Sequence, residues 1–187
     1  NNEEDIHTRT ASLVFNVSID DVLPEMRRTA KIVNFGIMYG AGAYRMSQEL
    51  GIPRNEASLV IEDYFNQYPG IQQYINNTLE KARNLKYVET ILGRRRPILE
   101  ANSSNALRRK AAERMAINMP IQGSAAEMIK LAMVNIQNEI KAMNLKSKLV
   151  LQIHDELLFE FPTVEEDIIV KLVTDKMESA MQLKVPL

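Results

Sequence analysis

The sequence predicts an α+β fold, mostly helical and carrying one small antiparallel sheet. Three observations lead there. Long stretches repeat apolar residues at helical spacing and are punctuated by Pro and Gly. The stretch Lys148–Phe161 is an apolar, β-favouring run interrupted by His154, Asp155 and Glu156, which reads as a hairpin with those three at or beside its tip. No internal repeat or low-complexity tract argues for an array or a disordered chain. With 187 residues the chain can bury one sizeable core or two small lobes.

Taken in order, a helix is expected over 5–15, followed by a loop at 18–21. A long helix starts at Pro24, a residue suited to a first helical turn, and runs to Gly40. Shorter helices follow over 43–50 and 54–67, split by Gly51-Ile52-Pro53, and another follows Pro69-Gly70 and reaches Leu85. Residues 87–92 and the residues after Arg94-Arg95-Arg96-Pro97 suit a small hairpin around Gly93. A basic helix over 104–119 is expected to end at Pro120 and Gly123. Ser124-Ala125-Ala126-Glu127 then reads as a capping box that opens a helix to Met143. After the hairpin of 148–161, Thr163-Val164-Glu165-Glu166 reads as the cap of a last helix ending at Met181.

Composition narrows the function classes. Net charge is −1, so no global basicity announces a polyanion partner. The charge is unevenly placed, however. Residues 81–114 carry ten Lys and Arg against three acids, and residues 155–187 carry eight acids against three lysines. That asymmetry suits a protein with one phosphate-facing side, although a solvated basic face has the same composition. The absence of cysteine excludes disulfides and thiolate metal sites and favours a reducing compartment. No apolar run is long enough to span a membrane. The chain begins with Asn, which suggests an excised piece of a longer protein.

Two stretches carry chemistry. At the hairpin tip, Asp155 and Glu156 are hard oxygen donors on a rigid element and could hold a divalent cation; a solvated polar turn is the plain alternative. On the long helix, Arg28, Lys31, Phe35 and Tyr39 are spaced by three, four and four and so share one face. That face is cationic toward the helix N-terminus, where free N–H groups also favour anions, and aromatic toward the C-terminus. A nucleoside triphosphate has the same polarity, charge at one end and a flat base at the other. The alternative is that Ile32, Phe35 and Tyr39 are core. Gly36 and Gly40 argue against it, since glycine within a helix costs about 1 kcal/mol and signals close approach.

The motif Arg27-Arg28-x-x-Lys31-x-x-x-Phe35-Gly36-x-x-Tyr39-Gly40 resembles the fingers-helix signature of family A DNA polymerases, the bacterial polymerase I type. Gln152-Ile153-His154-Asp155-Glu156 resembles that family's carboxylate hairpin in the palm. Asp5-Ile6-His7-Thr8, Glu89-Thr90-x-x-Gly93-Arg94-Arg95 and Arg114-x-x-x-Asn118-x-Pro120-x-Gln122-Gly123 are similar to the family in residues and order. The resemblance implies that 1–123 is mainly a fingers subdomain with a nucleotide-binding helix over 24–40, its basic helix 104–119 leading back to the palm. Residues 124–187 would then be a partial palm carrying the carboxylate hairpin 148–161.

It also implies roles. Arg28 and Lys31 would grip the triphosphate of an incoming dNTP with His7 near its β-phosphate. Phe35 would pack on its sugar and base, and Tyr39 would stack at the template position. Arg114, Asn118, Gln122 and His154 would line the primer–template DNA. Asp155 would ligate metal with Glu156 in support, and Asp155, Glu156 and Lys31 would form the catalytic set. Two Mg²⁺ ions are implied, the second needing an aspartate from a segment that this chain does not contain. Implied partners are primer–template DNA, dNTP and the remaining palm and thumb of a parent polymerase, working in the bacterial cytoplasm at the nucleoid, with no membrane. The chain alone is expected to be inactive. A rival reading takes Met46 to Ala57 as a helix-turn-helix of a sequence-specific DNA-binding protein, with Glu56, Glu62 and Asp63 on its recognition helix as the objection.

Overall fold

The structure is a computed structural model that describes residues 5–185 and 187. Its residues divide into two compact units, 1–121 and 122–187. In the first, α1 (Ile6–Phe15) starts at Asp5, whose carboxylate accepts hydrogen bonds from the His7 and Thr8 amides. A cap of this kind satisfies N–H groups that a helix start leaves open, for about 1 kcal/mol. Helix α2 (Pro24–Met38) opens with Pro at its first turn, as expected, but stops before Gly40. Tyr39 leaves helical geometry and Gly40 adopts φ +71°, a left-handed conformation natural to glycine.

α3 (Ala43–Leu50), α4 (Arg54–Gln67) and α5 (Pro69–Leu85) follow where the Gly and Pro punctuation puts them. Val33 and Ile37 of α2 pack with Met46 of α3 and with Ala57 and Tyr64 of α4 in a single core. Each fully buried large apolar side chain there contributes about 1.5–3 kcal/mol. A second core joins Ala82 of α5 to Val88, Ile98, Ala101, Ala112 and Ala116. Val88 belongs to a short antiparallel pair, β1 (Tyr87–Glu89) and β2 (Arg95–Pro97), with Gly93 at φ +83° in its turn; the tight turn that closes from Thr90 to Arg94 puts the second strand on the arginines themselves, earlier than expected.

The largest departure from expectation is α6, one continuous helix from Ala106 to Ala142 with Pro120 inside it. Proline gives no N–H to the helical ladder and costs about 3 kcal/mol in a helix interior. Long runs of helix-forming residues flank it, and Ala112, Ala116 and Ile117 before it and Ala132, Ile136 and Ile140 after it are buried. Packing on both sides outweighs the break. The Ser124–Glu127 capping box therefore has no helix start to cap, and both residues are buried within α6.

In the second unit, Ala132, Ile136 and Ile140 of α6 pack with Ile169 and Leu172 of α7 (Glu166–Glu178). The expected hairpin is present as β3 (Lys148–Ile153) and β4 (Glu156–Glu160), with a register irregularity between Leu149 and Leu151. The Thr163 cap is absent. Residues Thr163–Glu165 form a 3-10 turn, and α7 ends at Glu178, short of Met181. Glu165 instead turns its carboxylate to the Lys146 and Ser147 amides and the Ser147 hydroxyl, closing the loop that leads into β3. Those bonds hold its carboxyl below the ordinary glutamate range, the Lys146 amide contributing most.

The two glycines that flank Phe35 and Tyr39 differ in kind. A Cβ on Gly36 would lie 2.9 Å from Met46 Cε, the movable end of a flexible side chain. One on Gly40 would lie 3.3 Å from Arg114 Cγ on a backbone already at positive φ. Gly40→Ala is therefore expected to destabilise by about 1–2 kcal/mol, and Gly36→Ala by less, since the gain in helix propensity offsets the Met46 shift. Urea denaturation of the two variants checks the order.

Candidate nucleotide-binding face and carboxylate hairpin

Helix periodicity decides what α2 shows to solvent. Ala30, Val33, Asn34, Gly36 and Ile37 are buried, so the opposite residues point outward. Phe35 is 43 % exposed and Tyr39 36 %, which removes the reading of these rings as core. Their centroids are 6.0 Å apart and nearly parallel. Lys31 Nζ stands 5.8 Å from the Phe35 centroid, at the limit of a cation–π contact. His7, delivered by the first turn of α1, brings its ring within 5.8 Å of the same phenylalanine. Lys31, Phe35 and Tyr39 thus form one exposed patch with half-buried His7 against it, and Arg28 lies one turn before Lys31 on the same helix.

The two neighbouring arginines have different tasks. Arg27 Nε donates to Asp5, joining the first turn of α2 to the start of α1. Among the described residues no acid lies within ion-pair distance of Arg28 or Lys31, so both cations remain available to an anion. At the α2 N-terminus Leu23 offers no side-chain cap, which leaves backbone N–H groups open beside them.

On α6, Arg114 is exposed and its stem packs beside Gly40, just past Tyr39. Asn118, one turn on, is half-buried, and its side-chain oxygen is shielded without a partner among the described residues. The basic segment is less free than its composition suggests. Lys81 and Arg95 pair with Glu89, Arg83 with Glu113, and Arg108 with Glu100. Arg96, Lys110 and Arg114 are exposed, and Lys86 is half-buried.

The other candidates belong to the second unit. Gln122 is exposed on α6. His154 and Asp155 form the two-residue loop between β3 and β4, and Glu156 is the first residue of β4, paired with Ile153. His154 sits at φ +55°, where such loops favour Gly or Asn, and the Gln152 side chain donates to its carbonyl at 2.8 Å. A bulky residue in that conformation costs about 1–3 kcal/mol, a strain that concentrates at functional turns. Asp155 and Glu156 are both exposed. Among the described residues no group of three or more His, Asp or Glu side chains gathers as a metal site. The tip alone therefore fits as one contribution of carboxylate oxygens to a cation, and does not complete its coordination.

A family model described as DNA polymerase family A matches residues 1–187. The chain belongs to DNA polymerase family A. Within that family it is 49 % identical over 186 residues to DNA polymerase I of Caldicellulosiruptor bescii, covering 100 % of this chain and 22 % of that protein. It is 48 % identical over 186 residues to DNA polymerase I of Bacillus subtilis, covering 100 % of this chain and 21 % of that one. Against the thermostable DNA polymerase I of Thermus thermophilus it is 48 % identical over 184 residues, 98 % of this chain and 22 % of that one. The chain thus spans about a fifth of the length of these curated relatives.

Among solved structures it resembles the polymerase domain of Pol1 from M. smegmatis, in complex with DNA primer-template and dNTP. That likeness has a TM-score of 0.95 at 45 % identity and covers 100 % of this chain and 33 % of that one. Family membership leaves the helix-turn-helix reading without support. α3 and α4 do form a helix pair around Gly51, but Glu56, Glu62 and Asp63 are exposed on the second helix. No helix among the described residues is long and apolar enough to cross a membrane.

Sequence reasoning passed over Asp5 and Arg27 as a pair and Asn34 altogether. For Asn34 the signal was present, a polar residue in the buried row of α2. The Arg27 guanidinium, then the Thr8 hydroxyl, hold the Asp5 carboxyl well below the usual carboxylate range. A group whose pKa is depressed on folding stabilises above its unfolded value, near 3.9, and loses that contribution as pH falls. The melting temperature of Asp5→Asn is expected to lie below that of the parent at pH 7, with the gap closing below about pH 4. Melting curves of both proteins across that range check it.

Proposed function

We propose that the chain supplies the fingers, residues 1–123, and part of the palm, 124–187, of a DNA-directed DNA polymerase. The observation that carries this is the exposed row Arg28, Lys31, Phe35 and Tyr39 on α2 with His7 against it. Membership of family A and the likeness to a polymerase domain solved with primer-template and dNTP support the reading.

In this reading, Arg28 offers a planar two-point donor and Lys31 a point charge to the triphosphate of the incoming nucleotide. Phe35 packs on its sugar and base, and Tyr39 occupies the template position until the nucleotide is enclosed. Arg114, Asn118, Gln122 and His154 face the primer–template. Side-chain donors there meet minor-groove acceptors common to A·T and G·C pairs, so they test pair shape with little regard to sequence. Exposed Arg96 and Lys110 would add contacts to phosphate, screened by salt.

Family A polymerases depend on Mg²⁺, and Asp155 with Glu156 beside it would hold it here, a second aspartate coming from outside these residues. When bound, the metal lowers the pKa of the primer 3′-hydroxyl and neutralises charge on the triphosphate. Lys31 adds positive charge where the triphosphate's negative charge grows as pyrophosphate departs. The hairpin keeps the Asp155 carboxylate out in solvent, at a tip fixed by β3–β4 pairing and the Gln152–His154 bond. The chain by itself would be inactive, because one aspartate does not complete the site.

In the full-length protein, Asp155→Asn is expected to lower kcat for nucleotide addition by at least about a thousandfold, near 4 kcal/mol of transition-state stabilisation. Primer–template affinity should stay within about twofold, since no phosphate contact is removed. Primer extension at saturating Mg²⁺, with an equilibrium DNA-binding measurement alongside, checks both. Substantial residual kcat would remove Asp155 from the role.

A further inference from the structure

The buried side of α2 carries a polar side chain where helix packing calls for an apolar one. Asn34 is 5 % exposed, in the same buried row as Ala30, Val33 and Ile37. A buried amide without partners costs about 1–3 kcal/mol, so the use made of both its ends matters. Its Oδ1 accepts from the Thr10 hydroxyl at 3.0 Å, and its Nδ2 lies 2.9 Å from His7 Nδ1. Thr10 is itself fully buried on α1.

These contacts point to a proton position. With the Thr10 hydroxyl donating to Oδ1, the other end of the amide faces His7. That end is the NH₂, which only donates. His7 Nδ1 must then be the acceptor, and a neutral imidazole with an accepting Nδ1 carries its proton on Nε2. Nε2 is the ring atom across from the buried contact. The ring it belongs to stands against Phe35, on the side of α2 that carries Lys31. An Nε2–H there is a hydrogen-bond donor toward an anionic oxygen. The opposite tautomer would present a lone pair and repel it.

We propose that Asn34, held by Thr10, is a positioning residue that fixes His7 as its Nε2–H tautomer and so makes it a donor for a phosphate oxygen. The identity of that phosphate as part of a nucleotide rests on the polymerase reading above, whereas the tautomer does not. Asn34 touches neither substrate nor metal in this account and acts through His7 alone.

The direct test is the imidazole ¹⁵N spectrum of full-length protein labelled at histidine, recorded about two pH units above the ordinary imidazole value, with His7 assigned from its loss in His7→Gln. A bare Nδ1 and a protonated Nε2 are expected, and a proton on Nδ1 would overturn the proposal whatever His7 binds. The kinetic test measures KM for dNTP in the same protein. Asn34→Leu should raise KM about tenfold, or 1.4 kcal/mol, with kcat changed less than twofold, and should have no further effect in a His7→Ala background. Thr10→Val, which frees the amide to rotate, should give a smaller rise of the same kind and serves if Asn34→Leu does not fold. Equal losses with and without His7 would mean that Asn34 only packs α1 on α2, which overturns the proposal. A protonated Nε2 together with a KM unmoved by His7→Ala would instead refute the nucleotide role of His7 and leave the tautomer assignment standing.

Discussion

The burial of one face of α2 is the constraint on which the rest of the first unit depends. Val33 and Ile37 are locked into a core with Met46, Ala57 and Tyr64, and Asn34 is tied to α1 through Thr10 and His7. With that face committed, 3.6-residue periodicity leaves Arg28, Lys31, Phe35 and Tyr39 no direction but outward. The exposure of two aromatic rings is a loss of apolar burial that the fold accepts on this face. The order of residues along the helix then sets polarity, cations near open N–H groups and rings near the C-terminal end.

α1 completes the face from the side. Asp5 joins its first turn to Arg27, and Asn34 holds the ring of His7, so the start of α1 is tied to α2 at two places by side-chain hydrogen bonds. The arginine used in this tie is thereby taken out of competition for an anion, while Arg28 beside it has no ion-pair partner among the described residues. Close approach at Gly40 then sets Arg114 of α6 against the end of α2. The residues carrying the family signature in this unit are held by packing and hydrogen bonds that the signature itself does not mention.

Much of this was legible in the sequence, for identifiable reasons. Asp5 and Pro24 mark helix starts by chemistry that acts within a turn, and the spacing of 28, 31, 35 and 39 places those residues on one face whatever they contact. The hairpin was legible because His154, Asp155 and Glu156 interrupt two apolar runs, although which of the three turn depends on the Ile153–Glu156 pairing. What failed was inference from local breakers and caps against long-range packing. Pro120 and the Ser124–Glu127 box lie inside α6 because burial on either side outweighs a lost hydrogen bond, and Glu165 serves the 146–147 amides, partners that are far away in sequence. Asn34 was missed because its meaning depends on Thr10 and His7, 24 and 27 positions away.

The central claim is that the outward face of α2 is a nucleotide surface, and Phe35 tests it most directly. If its ring packs on the sugar, Phe35→Tyr in the full-length protein places a hydroxyl where the missing 3′-OH of a dideoxynucleotide would have been. Because Phe35 is exposed, the added hydroxyl meets solvent and the melting temperature should not move. The account predicts that the ratio of kcat/KM for dideoxy over deoxy substrate rises on the order of a hundredfold, about 2.7 kcal/mol of differential transition-state stabilisation. An unchanged ratio in a folded, active variant would contradict it, and α2 would then be an ordinary exposed helix that the nucleotide never touches.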